Sequence, residues 1–321
     1  MQNEFCELVK ESKTIAIFAH MNPDGDACGS AMAMKRVLDG MHKQTFLFVP
    51  LPINQSYQFL QIDEFSCKKK AKSYDLAISL DCPNTKRFGQ CEPEFFKANK
   101  TINIDHHIDN QNFADVNIVE PKRSSACELL FFLFEKSNFK IDKDIATCLY
   151  SGIATDTGGF LYSSSGDVSI ETWQTVVKLV KAGAELSKIN YNLFIKLRKP
   201  VFEIFRKGLN ALEYYADGKI AIVCIDKKML ADAHAELTDT YKITNLVNGI
   251  EGVEIAVIVT QKSENENAVS VRSNKHSAQR ICSHFGGGGH LRASGCKIFA
   301  PLIDAKIALI KECEEELKRN D

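Results

Sequence analysis

Short apolar runs ending in a polar turn alternate with longer amphipathic stretches through the first half of the chain. Residues 14–20 (Thr-Ile-Ala-Ile-Phe-Ala-His) are apolar at consecutive positions, which predicts a strand buried on both faces. Similar runs at 45–49, 75–80 and 101–104 predict three more strands. Spacing near 3.6 residues predicts helices over 26–38, 123–137, 143–154, 167–182 and 187–215. The last contains Pro200, so it should be broken or kinked there. Doubly buried strands separated by helices predict a parallel sheet covered by helices. A second, smaller α/β unit begins near Lys219. Its expected strands are 219–225, 253–260, 268–271 and 295–299, and its helices 238–249, 276–285 and 302–319.

Composition narrows the class. At 321 residues the chain exceeds one ordinary core, so two domains are expected. We place them at 1–186 and 216–321, joined by a helical linker over 187–215. A hydrophobic content of 45% excludes a disordered chain. The formal net charge of −1 leaves no global basic field to track a long nucleic acid. No apolar stretch approaches the ~20 residues that span a bilayer. The opening segment, MQNEFCELVKESK, has acidic residues and no apolar core, so no signal peptide is expected. With 11 cysteines and no Cys-x-x-Cys pair, a reduced cytoplasmic chain is the simplest reading. Cys28 and Cys82, beside acidic motifs, read as small fillers rather than redox groups.

Four clusters of acid and imidazole carry the chemistry. They are His20-Met21-Asn22-Pro23-Asp24-Gly25-Asp26, then Asp81, then Asp105-His106-His107, then Asp156 in Gly152-Ile153-Ala154-Thr155-Asp156-Thr157-Gly158-Gly159. Each has a plain alternative. Asp26 could cap the helix after it, Asp81 could be a turn residue, and the glycines after Asp156 could end a helix. Yet three of the four follow predicted strands, and open α/β sheets bind ligands at the carboxyl ends of their strands. Converging there, Asp and His suit Mg²⁺ or Mn²⁺. Two such ions could activate a water and stabilise a displaced phosphate oxygen. Downstream, Gly286-Gly287-Gly288-Gly289-His290, with Arg272, Ser273, Arg292 and Ser294, could form an anion cradle. Glycine runs serve turns as often.

Together these motifs resemble the DHH–DHHA1 phosphoesterases, over nearly the whole chain. The resemblance rests on His20 to Asp26, Asp81, Asp105-His106-His107 and Asp156-Thr157-Gly158. It continues in Arg272-Ser273, Gly287-Gly288-Gly289-His290 and Ala293-Ser294-Gly295. It implies a Rossmann-like DHH catalytic domain with a parallel sheet and a smaller α/β DHHA1 substrate-binding domain. It also implies roles by position. His20 and Asp24 would hold one metal, Asp26, His106 and Asp156 a second, and Asp81 both. Asp105 would orient a ligand without binding metal, and His107 would face the scissile phosphate. Arg272, Ser273, Gly287, Gly288, Gly289 and His290 would hold the substrate. Two divalent ions are implied; the mixed ligands favour Mn²⁺, with Mg²⁺ the alternative.

Length and layout look most like the family branch that hydrolyses short 5′-phosphorylated oligoribonucleotides (nanoRNA) and 3′-phosphoadenosine-5′-phosphate (pAp). The alternatives are a phosphodiesterase of linear or cyclic dinucleotides (pApA, pGpG, c-di-AMP) and a nucleotide-binding protein without turnover. The expected partners are short RNA or a nucleoside bisphosphate, held across a cleft between the domains, with no membrane. Homodimers recur in the family, so a homodimer is an open expectation.

Overall fold

The computed structural model describes residues 2–161 and 168–319 and divides into two compact units, Met1–Lys196 and Leu197–Asp321. The first opens with helix α1 (Gln2–Glu11), strand β1 (Thr14–Phe18), α2 (Gly25–Gly40) and β2 (Gln44–Phe48). It continues with β3 (Tyr74–Leu80), a 3₁₀ segment (Thr85–Cys91), α3 (Glu92–Phe95), β4 (Ala98–Asp105) and β5 (Val116–Val119). Helices α4 (Ala126–Lys136), α5 (Lys143–Asp156), α6 (Ile170–Lys181) and α7 (Leu186–Asn190) complete it. The five strands pair in parallel in the order β2-β1-β3-β4-β5. The alternation along β1 explains the unbroken apolar runs. Ile15 and Ile17 face the core made with α2, α4, α5 and α6. Ala16 and Phe18 face an aromatic layer of Phe46, Phe48, Tyr74, Phe88 and Phe95 on the other side.

The strand order has its switch point between β1 and β3, where successive crossovers leave in opposite directions and a crevice opens at the carboxyl edge. The His20–Asp26 turn leaves β1 and Asp81 leaves β3, so both motifs border that crevice. Asp105 is the last residue of β4. Asp156 reaches the site differently, through contact of α5 with α2. A Cβ on Gly25 would strike Thr155, one on Gly29 the Cys148 carbonyl oxygen, and one on Gly152 the Cys127 sulfur and an Asp26 oxygen. Three glycines therefore let the two helices touch.

The second unit runs α8 (Lys199–Asn210), β6 (Leu212–Tyr215), β7 (Ile220–Ile225), α9 (Lys227–Ala233), α10 (Tyr241–Asn248), β8 (Ile255–Ser263) and β9 (Glu266–Ser273). It ends with α11 (Ala278–His284), β10 (Gly288–His290), β11 (Ala293–Ile298) and α12 (Leu302–Leu317). Its sheet order is β10-β11-β9-β8-β7-β6, antiparallel except for β7 with β8. Ile220, Ile222, Ile255 and Val257 pack toward Ile281 of α11 and Leu309 of α12. Ala221, Val223, Ala256 and Ile258 pack with Ile204 of α8 and Ile243 and Val247 of α10.

The principal elements appear where the hydrophobic pattern predicts them; several details differ. The helix expected over 187–215 is not continuous. It comprises α7, a π-type turn at 191–195, an open stretch, α8 and the strand β6. Pro200 starts α8 rather than kinking a longer helix, because its missing N–H costs nothing in a first turn. Helices α1, α3 and α9 and strands β5 and β10 lie outside the predicted spans; most are short, and the strands lie at sheet edges. The predicted start of α6 at residue 167 falls outside the described residues. No helix among the described residues is long and apolar enough to cross a membrane.

Gly29→Ala tests the helix contact. Alanine gains about 1 kcal/mol of helix propensity, but overpacking against a fixed backbone oxygen costs about 1–3 kcal/mol. The denaturation midpoint should therefore fall. Gly40→Ala, where a Cβ meets open space, should leave it unchanged or raise it.

Candidate metal centre

The turn after β1 is built by Asp24, which caps α2 by accepting hydrogen bonds from the Asp26 and Ala27 amides at 3.0 Å each. The cap is thus Asp24, not Asp26. Asp26 is fully buried and accepts from the Ala126 and Cys127 amides, at 2.6 and 2.8 Å, at the start of α4. A carboxylate is favoured at that positive helix end. The contact spans 100 residues of sequence and fixes both Asp26 oxygens beside the crevice.

Asp81 stands at the centre. Its Oδ2 is 3.4 Å from His20 Nε2, and its Oδ1 is 3.6 Å from His106 Nε2 and 3.5 Å from His107 Nδ1. His20 Nε2 also lies 3.8 Å from Asp24. His106 Nε2 lies 3.2 Å from Asp156 and 3.8 Å from Asp26. Three overlapping groups follow, each with ligand atoms within 4.8 Å of one another: His20–Asp24–Asp81, Asp26–His106–Asp156 and Asp81–His106–His107. The first two have the membership that two neighbouring cations would need, with one oxygen of Asp81 directed to each.

Backbone carbonyls set the imidazole tautomers. His20 Nδ1 donates to the Met21 carbonyl at 2.9 Å, and His106 Nδ1 to the Arg123 carbonyl at 3.3 Å. Each Nε2 is thereby turned toward the acids, as the nitrogen that would bind a cation once its proton is displaced. His107 differs. Its Nδ1 donates to Asp105 Oδ1 at 2.7 Å, and it is about a third exposed, which leaves Nε2 free for a substrate. Asp105 is buried and also accepts from the His106 amide and from Asn110. It is spent on holding its neighbours. Asn110 and the Met21 and Arg123 carbonyls were missed in the sequence. A backbone carbonyl has no residue signature, and Asn110 looks like any turn asparagine.

The electrostatics call for cations. Burial works against charged imidazoles here, yet Asp24 and Asp81 raise His20 to about 11, and Asp156 and Asp81 raise His106 to about 12. Burial, with the charge of Asp81 added, lifts Asp26 to about 7. Burial, with the charge of Asp26, lifts Asp156 well above the carboxylate range. At His107 burial again works against charge, but the Asp105 hydrogen bond and the charges of Asp81 and Asp105 together raise it. Two unit charges about 4 Å apart interact by about 4 kcal/mol near a protein surface, so these acids cannot all ionise without positive charge among them. Three further observations agree. Asp81 Oδ1 is buried without a hydrogen-bond donor. Asp81 has φ +56, a left-handed conformation costing about 1–3 kcal/mol outside glycine. Asp156 sits at the negative C-terminal end of α5. The donor set fits divalent ions of the Mn²⁺ or Mg²⁺ kind.

In the second unit, strand register aligns Arg272 with Ala293 and Ala293 with His290 in one cross-strand row. The glycine run is partly the edge strand β10 rather than a free loop. A Cβ on Gly287 would strike Gly295 and Cys296, and one on Gly289 would come 2.7 Å from the Ala293 oxygen. Their smallness is thus explained by strand packing; Gly288 meets open space. The Ser273 hydroxyl accepts from the Lys275 and His276 amides, so it is engaged in a turn. The His290 side chain lies outside the described residues.

Residues 14–153 match the DHH family, N-terminal domain, and residues 217–318 the DHHA1 domain. The chain is 28% identical to the bifunctional oligoribonuclease and PAP phosphatase NrnA of Thermus thermophilus, over 95% of this chain and 90% of that protein. It superposes with TM-score 0.90 and 24% identity on an exopolyphosphatase-related protein from Bacteroides fragilis, covering 98% of this chain and 95% of the other. RecJ from Thermus thermophilus, in complex with Mn²⁺, shares the fold with TM-score 0.54 and 14% identity, over 98% of this chain and 55% of that one.

Cation binding at this centre must displace imidazole protons, so binding and proton release are coupled. Titration with Mn²⁺ should release roughly one proton for each histidine recruited, and apparent affinity should rise with pH. Calorimetry in buffers of different ionisation enthalpy measures both. Proton-neutral, pH-independent binding would refute the assignment of His20 and His106.

Proposed function

The chain belongs to the DHH–DHHA1 proteins, and from that premise we propose that it is a two-metal phosphoesterase. Its substrates on this reading are short 5′-phosphorylated oligoribonucleotides and 3′-phosphoadenosine-5′-phosphate. The observation that carries it is Asp81, whose two oxygens face two separate His–Asp groups. The likeness to an oligoribonuclease and PAP phosphatase over almost the whole chain supports the substrate class.

His20 and Asp24 would hold one ion, Asp26, His106 and Asp156 the other, and Asp81 both; Mn²⁺ is preferred and Mg²⁺ is the alternative. Bound there, the ions supply Lewis-acid charge and a water of lowered pKa. The chain's own residues do the rest. Asp26 keeps its orientation through the α4 amides, and His20 and His106 keep theirs through backbone carbonyls. Asp105 keeps His107 Nδ1 protonated, so His107 Nε2 can donate to a phosphoryl or leaving-group oxygen. In the second unit, Arg272, Ser273 and the segment Gly287 to His290 would bind the substrate's other phosphate or nucleotide. The reading includes cytoplasmic localisation and admits a homodimer.

His107→Ala should lower kcat by about 10²–10⁴-fold while elemental analysis still finds two metals per chain. A lost metal would mean that His107 is a ligand. Asp81→Ala should abolish turnover, since the cations would lose their shared carboxylate; normal rates at unchanged metal content would sink that role. A time course on 5′-labelled RNAs of graded length with Mn²⁺ tests the substrate class. With no global basic field, fragments of a few nucleotides should be cut much faster than long RNA. Equal kcat/KM for a 2-mer and a 24-mer would refute it, and cyclic dinucleotides outrunning both would favour the signalling alternative. Arg272→Ala should raise KM for dinucleotides without changing metal content.

A further inference from the structure

Two thiols touch in the first unit, outside the metal centre. Cys67 Sγ and Cys91 Sγ are 3.5 Å apart. Cys91 ends the 3₁₀ segment Thr85–Cys91 and is 5% exposed, whereas Cys67 is only half-buried. Cys67 is held in place by its backbone. Its amide donates to the Leu47 carbonyl at 2.7 Å, and its φ is +57. That left-handed conformation is unfavourable for a residue with a Cβ.

The surroundings divide the labour between the two sulfurs. A hydrogen bond from the Cys91 thiol, then the Ser66 hydroxyl and the Lys70 ammonium, outweigh burial and lower Cys67 to about 6. The same contact raises Cys91, which keeps its proton. Of the other cysteines, Cys6 and Cys224 are half-buried, as Cys67 is, and the rest are sealed. Cys28, Cys82 and Cys127 are fully buried and burial raises their thiols, which makes them poor nucleophiles. Cys282 and Cys296 of the second unit are also partnered, but they are 0% and 9% exposed, so a solute has little access to either sulfur.

We propose that Cys67 and Cys91 are a reversible dithiol–disulfide pair that reacts with hydroperoxides, Cys67 attacking and Cys91 resolving. The Cys67 thiolate attacks one peroxide oxygen. The S–O bond forms, the O–O bond breaks, and the departing oxygen leaves as water after taking a proton. The Cys91 sulfur then attacks the Cys67 sulfenic acid. The S–S bond forms, the S–O bond breaks, and hydroxide leaves as water with the Cys91 proton. Two thiols and one hydrogen peroxide give one disulfide and two waters. A small-molecule dithiol reverses the reaction by exchange.

The test uses the full chain, freed of metal by a chelator so that metal-catalysed oxidation does not intervene. It is treated with one equivalent of hydrogen peroxide, alkylated, digested and mapped by mass spectrometry. The expected result is a peptide linking Cys67 to Cys91 that disappears on treatment with dithiothreitol. Cys91→Ser should instead accumulate a Cys67 sulfenic acid that dimedone traps, and Cys67→Ser should give neither product. Circular dichroism checks that both serine variants remain folded, and the wild-type map stands without them. Full alkylation of both cysteines after peroxide, or a sulfenic acid on Cys91 in Cys67→Ser, would overturn the proposal.

Discussion

Several carboxylates share one small volume around Asp81, and that crowding is the constraint on which the rest of the site depends. Asp24, Asp26, Asp81 and Asp156 find their ion-pair partners among histidines in the described residues. Each histidine is forced to hold a proton far above its usual range, and two of the acids are pushed toward their neutral forms. A buried acceptor without a donor costs about 1–3 kcal/mol, and Asp81 Oδ1 is one. These costs point the same way: positive charge inside the cluster relieves them. A fold selected for stability alone would have dispersed it, which is why perturbed groups gather at functional sites.

The scaffold tolerates this because other elements are spent on holding it. The parallel sheet is buried on both faces, so its strand ends are rigid platforms. The α2–α5 contact depends on glycines with no room for a methyl group, and it carries Asp156 to the far side of the cluster. The α4 amides fix Asp26, and two backbone carbonyls fix the rings of His20 and His106. A site assembled on helices and strands is held more precisely than one on loops. The proposed ligands accordingly leave the ends of β1, β3, β4 and α5.

His106 and His107 show how adjacent residues acquire different tasks. His106 donates a hydrogen bond from Nδ1 to a carbonyl and turns Nε2 into the cluster, whereas His107 donates its Nδ1 hydrogen bond to Asp105 and stays partly open. The difference is one hydrogen-bond partner. In the second unit the glycines show the converse. Gly287 and Gly289 are small because strand β10 lies tightly on β11, a reason that holds whether or not a phosphate binds there.

The periodicity alone determined the principal strands and helices and the division into two α/β units, because burial on one or both faces imposes a spacing readable in one dimension. The residue types determined the candidate chemistry: Asp and His clustered at strand ends are costly unless something pays for them. The sequence could not decide which aspartate caps α2, since Asp24 and Asp26 both suit that turn and only the approach of α4 assigns Asp26 elsewhere. Nor could it show why Gly25, Gly29 and Gly152 must be glycine, or that Met21 and Arg123 orient the histidines through their carbonyls. Those facts arise from contacts between residues that lie up to 100 or more positions apart. The tertiary structure alone decides them, because steric fit and backbone hydrogen bonding depend on where atoms meet rather than on which residues are neighbours along the chain.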